Sequence, residues 1–465
     1  MQPVTSRLAL RRWIALLGLL IGAGCAVAPP SPAPPAPGEV PAQAAPLPQV
    51  HGAQGALPPA RAKRVLQRLE RQGSSDLLER HVHATEGLIK APLRVGNSVE
   101  ILVDGPATHA AMFAAIERAS RHINLETYIL EADEIGLRLA ELLIGRRERG
   151  VVIQVIYDSV GSIGTPPEYF DRLRQAGVQV CEYNPVNPAR AKRGWRINNR
   201  DHRKILVVDG EVGFTGGINI SSVYSSGSFS RRKRRAPVED GWRDTHVEVR
   251  GPVVHDLQSL FMDTWQHQCG ALLAADYLPK VKARGDTVVR VIAGSPGESE
   301  VYAALLSAIE RSEISVYLTI GYFVPDPRTL AALKQAAGRG VDVRLALPGV
   351  SDFWAPLHAG RSHYSDLLAS GVRIYERHDA LLHAKTGVID GVWSTIGSTN
   401  VDWRSFVHNA EVNIEVLGAR FAQRMEDLFW MDVEHSIEIT AQAWSSRSTA
   451  ARLKEWFARQ WEYLL

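Results

Sequence analysis

Two stretches of the sequence carry the same polar and glycine residues at the same spacing. In each stretch a lysine stands two residues after a histidine, and an aspartate stands seven residues after the same histidine. A pair of small residues and an asparagine come next. The two sets are His202, Lys204, Asp209, Gly216, Gly217 and Asn219, and His383, Lys385, Asp390, Gly397, Ser398 and Asn400. Because surface drift does not preserve such a pattern twice, we predict that both sets belong to one catalytic site.

These residue types suit the metal-free transfer of a phosphodiester. One imidazole attacks phosphorus while the other protonates the departing alcohol, since an ordinary pKa of about 6.5 lets one ring be neutral and one protonated near neutral pH. The ammonium and amide groups hold the non-bridging oxygens, which makes them the predicted phosphate-binding groups: Lys204, Lys385, Asn219 and Asn400. We expect no cofactor and no metal, because carboxylates and Cys/His groups do not cluster at ligand spacing.

A nucleophilic imidazole also needs an acceptor that holds its second ring nitrogen. Glu411 begins one predicted strand and Asp244 precedes another in the corresponding part of the other stretch. We therefore predict that these two carboxylates orient the two imidazoles and count both as catalytic residues.

The elements that position these residues repeat along the chain at a spacing of about 190 residues. An amphipathic helix precedes a strand at 122–128 and again at 314–319, and a glycine-terminated helix precedes buried strands at 151–157 and 341–347. His and Lys two residues apart on a strand point to the same face. Asp-Gly follows each motif strand as a turn signal, and the small-residue pairs let backbone approach a ligand. The pattern predicts an α/β fold with two duplicated halves, residues 99–275 and 276–465.

Both motifs resemble the HxKxxxxD signature of the phospholipase D superfamily, and further segments resemble bacterial cardiolipin synthases. Those segments are 201–210, 214–220, 321–326 and 397–406. The resemblance implies two α/β sandwich halves about a pseudo-twofold axis, with the active site at their interface. It also implies that His202 is the nucleophile, that His383 is the general acid and then the base, and that a phosphohistidine intermediate carries a phosphatidyl group. The implied activity is a phosphatidyl transfer that makes cardiolipin from phosphatidylglycerol and a second phospholipid.

The N-terminus has the layout of a secretory signal. Arg7, Arg11 and Arg12 precede an apolar run at 13–23 that is too short to span a bilayer as a helix. Residues 1–25 resemble a lipoprotein signal in which Cys25 is lipidated; a plain secretory signal is the alternative. We predict a Pro/Ala-rich tether at 26–60 and a helical extension at 61–98, whose basic helix 61–71 either touches lipid or caps the catalytic body. This places the chain at a membrane outside the cytoplasm, as a lipid-anchored envelope protein.

Charge and cysteine content narrow the partners. Lys plus Arg is 53 against 50 Asp plus Glu, and a net charge of +3 on 465 residues does not indicate a nucleic-acid partner. Three cysteines without ligand spacing indicate neither a disulfide scaffold nor a zinc site, and leave a Cys181–Cys269 bond open. Basic runs at 190–204 and 231–235 are either solvated loops or sites of attraction to anionic phospholipids at a membrane surface.

Three functions remain open from the residues: a phosphatidyl transferase, a hydrolase of phospholipids or nucleic acid, and a catalytically silent membrane-binding protein. Transfer and hydrolysis share one covalent intermediate and differ in the hydroxyl that reaches it second. The silent alternative is the weakest because both His/Lys pairs are intact. An apolar surface for a second lipid has three candidate residues that are equally suited to a core: Phe323, Phe353 and Trp354.

Overall fold

The computed structural model describes residues 48–71, 75–190, 195–226, 228, 241–270 and 277–465. The predicted signal segment with Cys25, the tether at 26–47 and the basic run at 231–235 lie outside these residues. The predicted boundary between the halves, at 275 and 276, also lies outside them.

A short hairpin and two helices precede the repeated part of the chain. They are β1 (Val50–Gly52), β2 (Gly55–Ala56), α1 (Pro59–Glu70) and α2 (Ser75–Thr85). The prediction of a tether up to residue 60 is therefore wrong for its last part: Val50 is buried and β1 pairs with Leu93 and Arg94, so one apolar side chain and a strand partner outweigh the Pro/Ala-rich composition. Helix α1 buries Ala62 and Leu69 in the main apolar core, so it caps the body.

The described residues of the first half form nine strands and four α-helices. In chain order they are β3 (Leu93–Val103), α3 (Asp104–Glu117), β4 (His122–Thr127), α4 (Glu134–Arg147), β5 (Val152–Asp158), α5 (Pro167–Gln175), β6 (Gln179–Tyr183), β7 (Arg200–Asp201), β8 (Ile205–Val208), β9 (Val212–Gly216), β10 (Trp242–Arg243), β11 (Thr245–Arg250) and α6 (Val254–Cys269). Strand β3 starts inside the segment predicted as a helical extension, so that extension ends at Leu93 rather than at residue 98.

The second half contains the remaining elements. They are β12 (Thr287–Ser295), β13 (Glu298–Ser299), α7 (Glu300–Glu310), β14 (Ser315–Ile320), β15 (Phe323–Val324), α8 (Pro327–Gly338), β16 (Asp342–Pro348), α9 (Trp354–Arg361), α10 (Tyr364–Ala369), β17 (Arg373–Arg377), β18 (Leu381–Leu382), β19 (Lys385–Ile389), β20 (Trp393–Gly397), β21 (Val401–Asp402), α11 (Trp403–Val407), β22 (Asn409–Leu417), α12 (Ala419–Glu434), β23 (Ser436–Ile439), α13 (Ala441–Ser445) and α14 (Thr449–Arg459).

Each half builds a sheet, and the two sheets have the same strand order. The order is β3-β11-β9-β8-β4-β5-β6 in the first and β12-β22-β20-β19-β14-β16-β17 in the second, followed there by β23. In both, the first four pairings are antiparallel and the last two parallel. The predicted α/β fold class is confirmed, and the repeat seen in the residues is a repeat of topology.

The sheets join edge to edge and share an apolar core. Strands β3 and β12 pair antiparallel at Asn97 and Thr287, with a bulge. Along β8, Leu206 faces the core of the first half, whereas Val207 lies in a cluster that also holds Val388 and Ile414 of the second half. Strands buried on both faces in this way are held rigidly in place, which suits them to position catalytic groups.

A disulfide links β6 to the end of α6. Cys181 and Cys269 are bonded across a sequence separation of 88 residues, with a Cα–Cα distance of 6.0 Å. The pairing left open by the sequence is therefore present. It closes the edge of the first sheet over Tyr183 and Trp265.

Among the described residues, no helix is long and apolar enough to cross a membrane.

Candidate active site

The two motif histidines lie where the halves exchange short strands. In the first half β7 pairs in parallel with the start of β22, and in the second β18 pairs in parallel with β10. The amide of His202 consequently donates to the carbonyl of Ala410 at 2.9 Å, and the amide of His383 donates to that of Arg243 at 2.8 Å. Each histidine is thus held by the backbone of the opposite half.

The carboxylates that orient the imidazoles also cross between the halves. Nδ1 of His202 lies 3.0 Å from Oε2 of Glu411, and Nδ1 of His383 lies 2.7 Å from Oδ2 of Asp244. With a carboxylate at each Nδ1, the proton belongs on that nitrogen and Nε2 is the nitrogen left for chemistry. The structure therefore brings all four predicted groups together, in a crosswise pairing that the sequence did not specify.

The two motif lysines flank the histidines and are deeply buried. Nζ of Lys204 donates to the carbonyl of His202 at 2.7 Å, and Nζ of Lys385 donates to that of His383. Burial lowers the pKa of Lys204 to about 7 and that of Lys385 to about 8. Their mutual repulsion also lowers the pKa of Lys204, and an anion bound between them would relieve this repulsion.

Electrostatics distinguish the two imidazoles. Burial lowers the pKa of His202 well below its ordinary value, and the neighbouring lysines lower it further. Burial and Lys385 also lower the pKa of His383, but the Asp244 carboxylate acts in the opposite direction. The surroundings therefore favour the neutral form of His202 more strongly than the neutral form of His383.

The pKa values of the two carboxylates that contact the imidazoles, Glu411 and Asp244, are shifted in opposite directions. Burial raises the pKa of Glu411 to about 7, against the effect of Lys204. Burial also acts to raise the pKa of Asp244, but Lys385 and His383 hold it below its ordinary value. Asp244 is therefore firmly ionised beside the imidazole that is suited to be the acid.

Aromatic rings enclose both imidazoles. Tyr128 meets His202 edge-on with ring centroids 5.0 Å apart, and Tyr322 meets His383 edge-on at 5.7 Å. Trp242 lies 5.0 Å from the His383 ring, and the hydroxyl of Tyr224 lies 3.4 Å from its Nδ1. These aromatic neighbours of the histidines were not predicted from the sequence. The repeat could have indicated the two edge-on tyrosines, because both follow equivalent strands of the two halves. No pattern in the sequence indicates Trp242.

The small-residue pairs pack against buried polar side chains, among them the two carboxylates that contact the imidazoles. A Cβ on Gly217 would lie 2.1 Å from Oδ1 of Asp244, and one on Gly397 would lie 2.1 Å from Oδ1 of Asn413. Ser398 donates to Glu411 through its hydroxyl. Gly217 leaves room for the Asp244 carboxylate and Ser398 holds the other acid, and close approach of a ligand to these residues stays a prediction.

The two motif asparagines anchor loops beside the histidines. Oδ1 of Asn219 accepts from the amide of Ile129 at 3.1 Å, and Oδ1 of Asn400 accepts from the amide of Tyr322 at 3.2 Å. Both are buried. The contacts in the structure place them as loop supports, and contact with a phosphate stays a prediction.

The two motif aspartates do not join the site, which corrects their inclusion among the catalytic residues. Asp209 lies at the far end of β8 from Lys204 and accepts from the amides of Ser120, Arg121 and His122. Asp390 does the same in the second half, with the amides of 313–315 and with Nε2 of His81 at 2.9 Å. Both have a positive φ within the predicted Asp-Gly turns. Their spacing recurs because the hairpin and its anchor recur.

The apolar candidates divide between core and surface. Phe323 is buried, so it belongs to the core, whereas Phe353 and Trp354 are exposed at the start of α9.

Among the residues with described positions, no group of three or more His, Cys, Asp or Glu side chains is placed to hold a metal ion.

Comparisons with known proteins agree with this geometry. A family model described as "Cardiolipin synthase, PLD-like domain" matches residues 112–228 and 305–433. The chain is similar to the cardiolipin synthase of Geobacillus kaustophilus, with 36% identity over 376 residues that cover 79% of this chain and 72% of that protein. It is similar to cardiolipin synthase 1 of Bacillus anthracis, with 32% identity over 413 residues, 84% of this chain and 78% of that protein. The crystal structure of phosphatidylserine synthase from Haemophilus influenzae matches with a TM-score of 0.63 at 12% identity, over 83% of this chain and 100% of that one, a likeness of fold.

Proposed function

The chain belongs to the cardiolipin synthase family with PLD-like domains, and from this premise we propose that it is a phosphatidyltransferase that joins two phospholipids into cardiolipin. The observation that carries the proposal is the pair of histidine–carboxylate contacts made crosswise between the halves, His202 with Glu411 and His383 with Asp244. Two oriented imidazoles and two buried lysines beside them supply the groups that a two-step phosphoryl transfer needs.

In the first step Nε2 of His202 attacks the phosphorus of phosphatidylglycerol. A P–N bond forms, the P–O bond to the glycerol headgroup breaks, and the His383 imidazolium gives its Nε2 proton to the departing oxygen. The products are free glycerol, a phosphatidyl group on His202 and a neutral His383. Lys204 and Lys385 balance the charge on the non-bridging oxygens throughout.

In the second step neutral His383 takes the proton from the hydroxyl of a second phosphatidylglycerol. That oxygen attacks phosphorus, the P–N bond to His202 breaks, and cardiolipin leaves with both imidazoles restored to their starting states. The order of pKa values supports this division of roles: His202, with the more strongly lowered pKa, is the neutral nucleophile, and His383 is stabilised as a cation by Asp244.

We also propose that the enzyme works at a membrane outside the cytoplasm, held there by lipidation of Cys25. The apolar run that precedes Cys25 and the Pro/Ala-rich stretch that follows it support an acylated anchor and a tether. The Cys181–Cys269 disulfide supports an oxidising compartment, where such bonds persist.

Metabolic labelling with a fatty acid tests the anchor. The native chain should carry the acyl label and fractionate with membranes, and Cys25→Ser should lose the label and yield either a released chain or an unprocessed precursor. A native chain without acyl label in the soluble fraction would overturn this part of the proposal.

Analysis of products tests the transfer itself. Purified full-length protein is incubated with vesicles of phosphatidylglycerol, and the lipids and water-soluble products are identified by mass spectrometry. We expect cardiolipin and free glycerol, with phosphatidic acid as a minor product, and neither in the His202→Ala variant. Phosphatidic acid as the sole product, whatever alcohol or lipid acceptor is supplied, would reject the transferase and leave a hydrolase.

A further inference from the structure

The last residues of the chain, 449–465, form an apolar outer surface that we call the C-terminal patch. It consists of α14 and the short turn that follows. Six of its large apolar side chains are 40–65% exposed: Leu453, Trp456, Phe457, Trp461, Tyr463 and Leu464. They make up six of the fifteen exposed large apolar residues in the described part of the chain, so the concentration is local.

Helix α14 turns most of its large apolar side chains toward solvent, whereas a surface helix usually turns them toward the core. Ser448 caps its N-terminus by accepting from the amide of Ala451. Its buried face contains Glu455, whose carboxylate lies 3.0 Å from Nε of Arg447, together with Ala458. A helix in water turns its apolar stripe inward. Here a paired charge is turned inward and the indoles outward, an arrangement that water alone does not favour.

Two sets of contacts connect the C-terminal patch to segments that lie next to the active site. Ala458 packs with Ala359 of α9, whose first residue is the exposed Trp354. Just before α9, Asp352 accepts a hydrogen bond from the hydroxyl of Tyr322 at 2.7 Å, and the Tyr322 ring lies edge-on against His383.

The second side runs through the loop that follows the second motif. Tyr463 contacts Trp403 with ring centroids 5.3 Å apart. Trp403 follows the motif residue Asn400 by three positions, at the start of α11. The C-terminal patch thus contacts the segment that follows the second motif.

We propose that the C-terminal patch inserts into the interface of an anionic phospholipid bilayer and delivers lipid headgroups to the His202–His383 site. The inference rests on the proposed function, because it needs a lipid substrate. Tryptophan and tyrosine are the side chains suited to the headgroup region, and an amphipathic helix lying in that plane buries its apolar face there. Three exposed cations on α14, Arg452, Lys454 and Arg459, match an anionic surface.

Brominated lipids test the insertion directly, because bromine quenches only those indoles that lie among the acyl chains. Full-length protein is mixed with vesicles of equal parts phosphatidylethanolamine and dibrominated phosphatidylglycerol. The expected result is quenching that falls strongly when Trp456→Phe and Trp461→Phe are combined and persists in Trp265→Phe, a buried indole in the first half. Quenching that comes from attachment elsewhere, through Trp13 or Trp354, would remain unchanged in the double variant. Quenching that is absent from the native chain, or unchanged in the double variant, would overturn the proposal.

Turnover separates this inference from the proposed function. A variant with Leu453→Ser, Trp456→Ser and Trp461→Ser should lose about tenfold or more of its activity on phosphatidylglycerol vesicles. It lacks three exposed apolar side chains that become buried in the bilayer when the patch inserts. It should keep its activity on dispersed dihexanoyl-phosphatidylglycerol within about twofold, because no group at the histidines changes. The matched control removes three equally exposed apolar side chains elsewhere, by Leu137→Ser, Ile314→Ser and Ile437→Ser.

The remaining outcomes are also decisive. Equal losses in the control variant, or full vesicle activity in the triple variant, would overturn the C-terminal patch as a membrane surface. A native dimer in analytical ultracentrifugation that the triple variant dissociates would assign the patch to a second copy of the chain instead. If the native enzyme makes no cardiolipin from either form of phosphatidylglycerol, the proposed function fails, while the quenching experiment still reports on the patch.

Discussion

Replacing Asp244 with Asn removes one charge from the crosswise pairs and changes little else. Both side chains of the pair with His383 are buried, and Asn has the same shape as the carboxylate that packs closely against Gly217. Oδ1 of Asp244 also accepts from the amide of Thr245 at 2.7 Å, a bond that the Asn side chain can keep. The substitution therefore tests electrostatics rather than packing.

The magnitude follows from the removed charge. A carboxylate in contact raises the pKa of an imidazole by about 1 to 3, so its loss reduces the protonated fraction of His383 near neutral pH by about 10- to 1,000-fold. The Asn amide also donates toward Nδ1 and favours the wrong tautomer; a comparable change in serine proteases costs about 10⁴ in turnover. We expect turnover of phosphatidylglycerol to fall by about 10² to 10⁴.

The pH profile gives the sign. A general acid must be protonated, so activity is lost as pH rises through its pKa, and a lower pKa in Asp244→Asn moves the alkaline limb of kcat/KM to lower pH. Asp209→Asn is the matched control: it makes the same chemical change at a half-buried anchor outside the site, and should lower the melting temperature while leaving the limb in place. An unchanged limb in Asp244→Asn, or an equal displacement in Asp209→Asn, would refute this account of the acid.

Three further predictions concern the scaffold and the chemistry. His81→Ala removes the imidazole that bonds Asp390 and should lower the free energy of unfolding by about 1 to 3 kcal/mol in urea denaturation, with kcat retained; a stability equal to the native value would contradict the anchor. Cys181→Ser opens an 88-residue loop and should cost about 2 to 5 kcal/mol by the same measurement, a prediction that fails if reduced and oxidised protein melt together. Activity should survive EDTA, because the proposed steps use only imidazoles, carboxylates and ammonium groups; loss on chelation and recovery with one specific divalent ion would contradict the chemistry.

Sequence reasoning identified the groups of the site but not the way they are paired. The His and Lys residues were recognisable because their pattern occurs twice, and Asp244 and Glu411 because each stands at a strand start. Their crosswise contacts depend on strands β7 and β10, which are two residues long and have no periodicity to detect. Such pairing exists only once the halves are packed.

Spacing also could not separate a catalytic residue from a structural one. Asp209 and Asp390 recur as regularly as the histidines, because a hairpin turn and its anchoring amides recur with the duplicated fold. The same limit applies to the glycines, whose neighbours come from distant strands. Composition misplaced the end of the tether because the burial of Val50 and the pairing of its strand with β3 arise only in the folded chain.

The most direct test of the central claim is the site of covalent attachment. The enzyme is mixed with phosphatidylglycerol that carries labelled phosphorus, quenched in alkali to preserve phosphohistidine, digested and mapped by mass spectrometry. We expect the label on His202 in the native chain, none in His202→Ala, and slower formation and slower loss of the adduct in His383→Ala. Label on His383, or undiminished labelling of His202→Ala, would contradict the assignment of nucleophile and acid on which the mechanism rests.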